Sequence, residues 1–359
     1  MRILMTADAA GGVGVFADEL ATALVARGHQ VLVVVFSLTR PAFTPGLHRL
    51  WAPFRLEWMD TGGEAGALAA DALAGRAFLL DLAQHWRPQI LHSNQFAFAG
   101  ALPRIPTVLS VHSDVVSWWR IVHATPPPAN AYQRWYAATA RQALASAALV
   151  VTPSQAARAD LLASFGAPRP VRVIVNGRSP HQFTCGQKQP FALAAGRLWD
   201  AGKQMHLLAA LRPIANLELT LAGERLHPAG GTPAAMPANL RCLGHLPPPA
   251  LHDWMARAPT FIGTSLYEPF GLAVLEAAFS GCALLLNDIP SWRELWGPAA
   301  LFYSNLEQLQ HLLERVASHP DWAQAHGQTA RRHACRRYTA VRMAQAYEAV
   351  YRQAMTAAV

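Results

Sequence analysis

The stretch Arg2-Ile3-Leu4-Met5-Thr6-Ala7-Asp8, then Gly11-Gly12-Val13-Gly14, then Phe16 to Phe36, decides the fold class. Ile3 to Ala7 is a short apolar run, and the glycines from Gly11 to Gly14 break it. Phe16 to Ala26 has helical apolar spacing, Gly28 ends it, and Val31 to Phe36 is a continuous apolar, mostly β-branched run. Fully apolar strands bounded by helices belong to a parallel sheet covered on both faces.

The same unit recurs. Ile90-Leu91-His92, Thr107 to Val111, Ala148 to Thr152 and Val171 to Val175 read as short strands between helical segments. After Asn176-Gly177-Arg178-Ser179-Pro180, the hinge candidate, the pattern restarts. Phe191 to Ala195, Leu217 to Ala222, Leu240 to Leu243, Thr260 to Gly263 and Ala283 to Asn287 form a second set. Two such blocks predict an α/β chain with two Rossmann-like, doubly wound domains facing a central cleft. The expected boundaries are 1–178 and 179–337, with a C-terminal helix in 338–359 packing back on the N-terminal domain. That helix, about Thr339 to Ala354, is apolar at Val341, Met343, Ala344, Tyr347, Val350 and Tyr351. With 359 residues, 52% apolar and 14% charged, the chain has material for two cores.

Charge narrows the partners. The net charge of +8 is spread along the chain, and the dense basic stretch is Arg331 to Arg337. Nucleic-acid binders gather charge into a stripe or tail, so no nucleic acid is expected. General affinity for anionic ligands is expected instead, phosphate or an anionic membrane surface. Cys185, Cys242, Cys282 and Cys335 are widely spaced, which fits a reducing cytosol. The first residues lack the apolar run of a signal peptide, and no run approaches about 18 apolar residues. The expected location is cytoplasmic, with peripheral contact at the inner face of a membrane as an extension. There is no D-x-D, no H-E-x-x-H and no Cys/His cluster with ligand spacing, so neither a metal nor another cofactor is expected.

Gly12-Val13-Gly14-Val15-Phe16-Ala17 satisfies G-x-G-x-x-A between a strand and a helix. A dinucleotide site also needs an acid at the end of the second strand, and none lies between Glu19 and Glu57. NAD is therefore disfavoured. Two readings stay open: backbone amides approaching something anionic, or a tight turn needed for packing.

The most informative stretch is Glu268-Pro269-Phe270-Gly271-Leu272-Ala273-Val274-Leu275-Glu276, continuing to Gly281. Pro269 suits a first helical turn and Gly281 a C-terminal cap, with nearly every residue between them apolar or small. A carboxylate at Glu276 inside such a helix needs a partner. Ligand hydroxyls and a protein side chain are both open. Glu268 and Glu276 would lie at most roughly 12 Å apart along a helix, which suits two ends of one extended ligand.

This segment resembles the E-x7-E signature of family 4 ("group 1") retaining glycosyltransferases, which have the GT-B fold. Asp288-Ile289-Pro290, Glu294, His112-Ser113-Asp114, Val175-Asn176-Gly177 and Gly196-Arg197-Leu198 resemble further segments of that family. The resemblance implies a hexose moved from a UDP- or GDP-sugar to a glycan, lipid-linked or small-molecule acceptor. It implies Glu276 on the ribose hydroxyls and Glu268 on the sugar. It implies amides of Phe270, Gly271 and Leu272 near sugar and diphosphate, and Arg197 with Lys203 on the diphosphate. Gly12 and Gly14 join the donor set, and His112 would contact the transferred sugar. Glu268, His112, Arg197 and Lys203 form the implied catalytic set, with no protein general base. One departure is that Lys203 follows Arg197 by six residues, with Gly202 before it, where the family commonly has five and a following Gly.

On the acceptor side the implied residues are Asn94, Trp118 and Trp119, in a region running from Trp118 to Tyr136 with Arg120 and Arg134. Sugar stacking, a membrane surface and plain core packing are the open readings of those aromatics. A nucleotide-sugar-binding protein without transfer activity and a sugar-nucleotide epimerase are the functional alternatives.

Overall fold

The computed structural model describes residues 1–9, 11–43, 46–59, 63, 65–166, 169–227 and 240–356. It divides into two units, Met1–Gly177 with Ala340–Val359, and Arg178–Thr339. In the first unit the strands are β1 (Arg2–Asp8), β2 (Gln30–Phe36), β3 (His48–Ala52), β4 (Ile90–Ser93), β5 (Thr107–Ser110), β6 (Leu149–Thr152) and β7 (Val171–Val173). The helices are α1 (Gly11–Val25), α2 (Gly66–Trp86), α3 (Val115–His123), α4 (Ala131–Ser146) and α5 (Gln155–Phe165). All strand pairs are parallel, in the order β3-β2-β1-β4-β5-β6-β7.

The second unit repeats the plan. Its strands β8 (Phe191–Ala195), β9 (Glu218–Ala222), β10 (Arg241–Cys242), β11 (Thr260–Gly263), β12 (Ala283–Asn287) and β13 (Leu301–Tyr303) lie parallel as β10-β9-β8-β11-β12-β13. Its helices are α6 (Pro248–Arg257), α7 (Leu272–Phe279), α8 (Pro290–Trp296), α9 (Leu306–Ser318) and α10 (Pro320–Arg337). The last helix, α11 (Ala340–Thr356), returns to the first unit. Met343, Ala344, Tyr347, Val350 and Tyr351 on it join Phe16, Leu20 and Leu24 of α1 over one face of the first sheet. Each large buried side chain there contributes about 1.5–3 kcal/mol.

Two boundaries differ from the expectation. Gly11 to Gly14 are the first turn of α1, not a loop before it. Gly14 is tight against the strand end: a Cβ there would sit 2.7 Å from the Asp8 carbonyl oxygen. The Glu268 helix begins at Leu272, not Pro269, because Gly271 is its N-cap with φ of 90°. Glu268, Pro269 and Phe270 are therefore non-helical, and only the stretch from Leu272 to Glu276, roughly 6 Å long, rises helically.

Candidate active site

In the second unit, β8 and β11 are neighbours, and the segments leaving their C-terminal ends are tied together. Leu266 N donates to Gly202 O at 2.9 Å, and Thr264 Oγ1 donates to Lys203 O at 2.5 Å. This brings the Lys203 ammonium onto the Glu268 carboxylate, with both side chains mostly buried. The carboxyl ends of parallel strands are where open α/β sheets bind ligands. Arg197 leaves the same end of β8; Nη2 donates to Asp200 Oδ2 at 2.6 Å, and the guanidinium lies 5.1 Å from the Trp199 ring centroid. Its side chain is still 52% exposed, so an anion can reach it.

The start of α7 belongs to the same neighbourhood. Gly271 has no side chain to cap the helix, so the first amides of α7 lack an internal acceptor. A Cβ at Gly271 would press on Trp292 Nε1 at 3.1 Å and on Glu268 Cγ at 3.3 Å. Phe270 is buried, edge-on to Tyr338 at 5.6 Å. Leu272 is half-buried at the open helix end. The start of α7, Lys203 and Arg197 lie together, each cation with a carboxylate partner, Glu268 and Asp200 respectively.

Glu276 is buried one turn along, and it has protein partners. Arg178 Nη1 donates to its Oε1, and His252 Nε2 lies 3.8 Å from its Oε2. Arg178 also donates to Gln182 Oε1 at 2.9 Å and packs 5.2 Å from the Phe183 ring centroid. Protein side chains are thus among the partners of Glu276.

In the first unit His112 lies just beyond β5, and its Nε2 is 2.8 Å from Asn94 Oδ1. Asn94 donates through Nδ2 to Thr6 O at 2.7 Å, which turns its oxygen toward the histidine. Burial lowers the His112 pKa to about 4, so the ring is neutral at pH 7 and carries its proton on Nε2, facing Asn94. Nδ1 is left as an acceptor. Asn94 is thus a positioning residue for His112. The Phe16 ring of α1 packs at 4.4 Å against it, placing Gly12 and Gly14 in the helical turn just before that contact.

Trp118 and Trp119 are half-buried on α3, 6.2 Å apart, while Tyr132 and Tyr136 of the same region are core. The core reading holds for those two tyrosines. Among the described residues, no three His, Cys, Asp or Glu side chains gather as metal ligands, and no helix is long and apolar enough to cross a membrane.

The family described as Glycosyltransferase Family 4 matches residues 10–182, and the family described as Glycosyl transferase-like matches residues 203–349. The chain belongs to the group 1 glycosyltransferases. Glycogen synthase of Mycobacterium tuberculosis is 26% identical over 333 residues, spanning 80% of this chain and 78% of that protein. Sucrose-phosphate synthase from Thermosynechococcus elongatus has a TM-score of 0.81 at 18% identity, covering 99% of this chain and 100% of its own. Anabaena HepE, solved in complex with UDP and glucose, has a TM-score of 0.70 at 17% identity, covering 98% and 99%. The two parallel-sheet α/β units are those of a GT-B glycosyltransferase.

Sequence reasoning about this glycosyltransferase missed Arg178 and His252 as partners of Glu276. Arg178 stands within the Asn176 to Pro180 stretch that reads as a linker, and nothing local ties it to a carboxylate 98 residues away. It also missed Asp8 and Glu57, buried acids near the end of β1. Asp8 accepts from Gln95 and from Trp58 Nε1 at 3.0 Å, and Glu57 Oε1 accepts from Phe96 N at 2.7 Å. Burial raises Asp8 to about 6 and Glu57 to about 7.

Proposed function

We propose that this glycosyltransferase takes a hexose from a nucleotide-diphosphate sugar and transfers it with retention of anomeric configuration to a sugar-bearing acceptor. The donor is held by the second unit and the acceptor by the first. The carrying observation is the meeting of Lys203 and Glu268 beside Arg197 and the uncapped start of α7. Glycosyl transfer releases a nucleoside diphosphate whose charge grows in the transition state, and Lys203 and Arg197 would stabilise it. When it binds, Lys203 exchanges the carboxylate for phosphate oxygens and frees Glu268 for sugar hydroxyls.

Glu276 would receive the ribose hydroxyls while Arg178 keeps its charge compensated, so no unpaired carboxylate is buried in either state. Neutral His112, in the first unit, would accept a hydrogen bond from a sugar hydroxyl at Nδ1. The leaving phosphate itself takes the acceptor proton during same-face attack, so no side chain is assigned as base. Uridine is the favoured base because HepE is solved with UDP and UDP-glucose. Cation and helix-dipole stabilisation replaces a metal in this reading. Its setting would be the cytoplasm, the donor pool being one of soluble nucleotide sugars.

The test is a proton NMR time course with UDP-glucose or GDP-mannose and a panel of sugar acceptors. Appearance of the nucleoside diphosphate with a product anomeric signal of the donor's own configuration supports the proposal. An inverted product removes the retaining assignment, and donor consumption without acceptor favours epimerisation or hydrolysis.

A further inference from the structure

We infer that the first unit carries a second anion site, formed by Arg134, Arg141 and Gln133, that takes a phosphate-bearing polyol. Its role as the charged end of the acceptor rests on the proposed function above; the binding itself does not.

A cavity of about 350 Å³ lies between α4 and the Pro127–Ala129 loop, with Ser164 and Phe165 from the end of α5 on its wall. That volume is within the range of small-ligand sites. Arg134, Ala137 and Arg141 all line it. Their spacing of three and four residues puts them on one helix face. The small Ala137 leaves room between the two guanidinium groups. Arg134 Nη1 donates to Ala129 O at 2.8 Å, and Arg141 lies 6.0 Å from the Phe165 ring centroid. Among the described residues, neither arginine forms an ion pair with a carboxylate.

The neighbouring cavity, about 400 Å³ and sharing Pro127, is different: its Arg120 is accompanied by Asp160. Of the two, the α4 cavity is the one with uncompensated positive charge. Planar guanidinium forks favour phosphate oxygens.

Gln133 supplies the second half of the specificity. It lines the same cavity, is 7% exposed, and its Oε1 has no hydrogen-bond partner. Its backbone N–H is already used on the Asn130 side chain at 2.8 Å. An unpaired buried amide oxygen calls for a donor. A phosphomonoester dianion has no proton to donate, but a polyol hydroxyl has. The ligand therefore presents a phosphate to Arg134 and Arg141 and a hydroxyl to Gln133, as phosphorylated sugars and phosphoglycerol headgroups both do.

The test is calorimetric titration of the intact protein, with saturating UDP present to occupy the other anion site. The probes are inorganic phosphate, glucose 6-phosphate and glucose, alongside co-sedimentation with phosphatidylcholine vesicles containing phosphatidylglycerol. Glucose 6-phosphate should bind at least tenfold more tightly than glucose, and R134A/R141A should weaken it at least tenfold. Q133A should remove the advantage of glucose 6-phosphate over inorganic phosphate and leave phosphate binding unchanged. Binding of soluble phosphates identifies a free ligand; vesicle binding lost in R134A/R141A, with no soluble phosphate bound, identifies a lipid headgroup. The inference is overturned if native protein binds none of these probes, or if R134A/R141A binds them as the native protein does. UDP binding by R134A/R141A confirms that the variant is folded. Phosphate binding by a native protein that ignores UDP would instead remove the proposed donor site and leave this one standing.

Discussion

Arg178 holds Glu276 from the far end of the second unit's sequence, a buried guanidinium on a buried carboxylate 98 residues away. Both charges lose hydration, and each is tolerable because the other is present. Replacing Arg178 with Met should cost about 3 kcal/mol, since it takes the guanidinium away from a buried carboxylate. The double variant R178M/E276M should recover most of that loss. Urea unfolding of the single and double variants checks this. A double variant no more stable than R178M would refute the coupling.

In the proposed function Lys203 meets the donor's diphosphate and Glu268 its sugar. Both side chains are mostly buried, and removing one partner of such a pair costs about 1–3 kcal/mol. K203A should therefore lose about 1–3 kcal/mol of stability and, assayed where it stays folded, on the order of 10²–10³ in kcat. K203R should recover little, because a guanidinium does not reproduce a compact ammonium in the same turn. Steady-state rates of nucleoside diphosphate release decide it.

Much of the fold is legible in the amino-acid sequence. The interior strands declare themselves because parallel strands covered on both faces are continuous apolar runs, as at Val31 to Phe36 and Ala283 to Asn287. The edge strands do not: β3, His48-Arg49-Leu50-Trp51-Ala52, alternates exposed and covered positions, and β13 has three residues. The E-x7-E stretch announces a buried helix, but Gly271 at φ of 90° moves its start past Pro269. The E-x7-E motif is legible residue by residue. The Lys203–Glu268 contact is not, because it depends on adjacency of β8 and β11, a property of strand order.

Glu57 links stability to pH. Burial, with Asp8 nearby as a smaller contribution, raises its carboxyl from 4.5 to about 7. A raised carboxyl pKa means that the native state binds the proton more tightly than the unfolded chain. Its stabilising effect is complete below pH 4.5 and is lost as pH rises through 7. E57Q keeps an oxygen for Phe96 N and removes the charge. It should match the native protein near pH 4.5 and be more stable by about 2 kcal/mol at pH 8. Equal pH profiles for the two proteins would contradict the assignment.

Glu348 anchors the C-terminal helix to α1's end. Arg27 Nε reaches its Oε1 at 2.6 Å and His29 Nε2 at 2.8 Å, and hydrogen bonding to Arg27 lowers its pKa to about 2. The depressed value means this contribution is present above pH 4.5 and is lost as pH falls toward 2. E348A should destabilise the first unit by about 2 kcal/mol at pH 7. Hydrogen exchange should localise the loss to α11 and α1. Unchanged protection of α11 would refute the anchoring role.

The central claim is a nucleotide-sugar donor held by the second unit, and thermal shift with UDP, GDP, ADP, NAD and their sugar conjugates tests it most directly. Ligand at 100 times its Kd adds about 2.7 kcal/mol, or about 5–10 °C for a domain of this size. Such a shift is expected with UDP and UDP-glucose, and it should be lost in E276Q. A protein that responds to no nucleoside diphosphate, or to NAD alone, would contradict it.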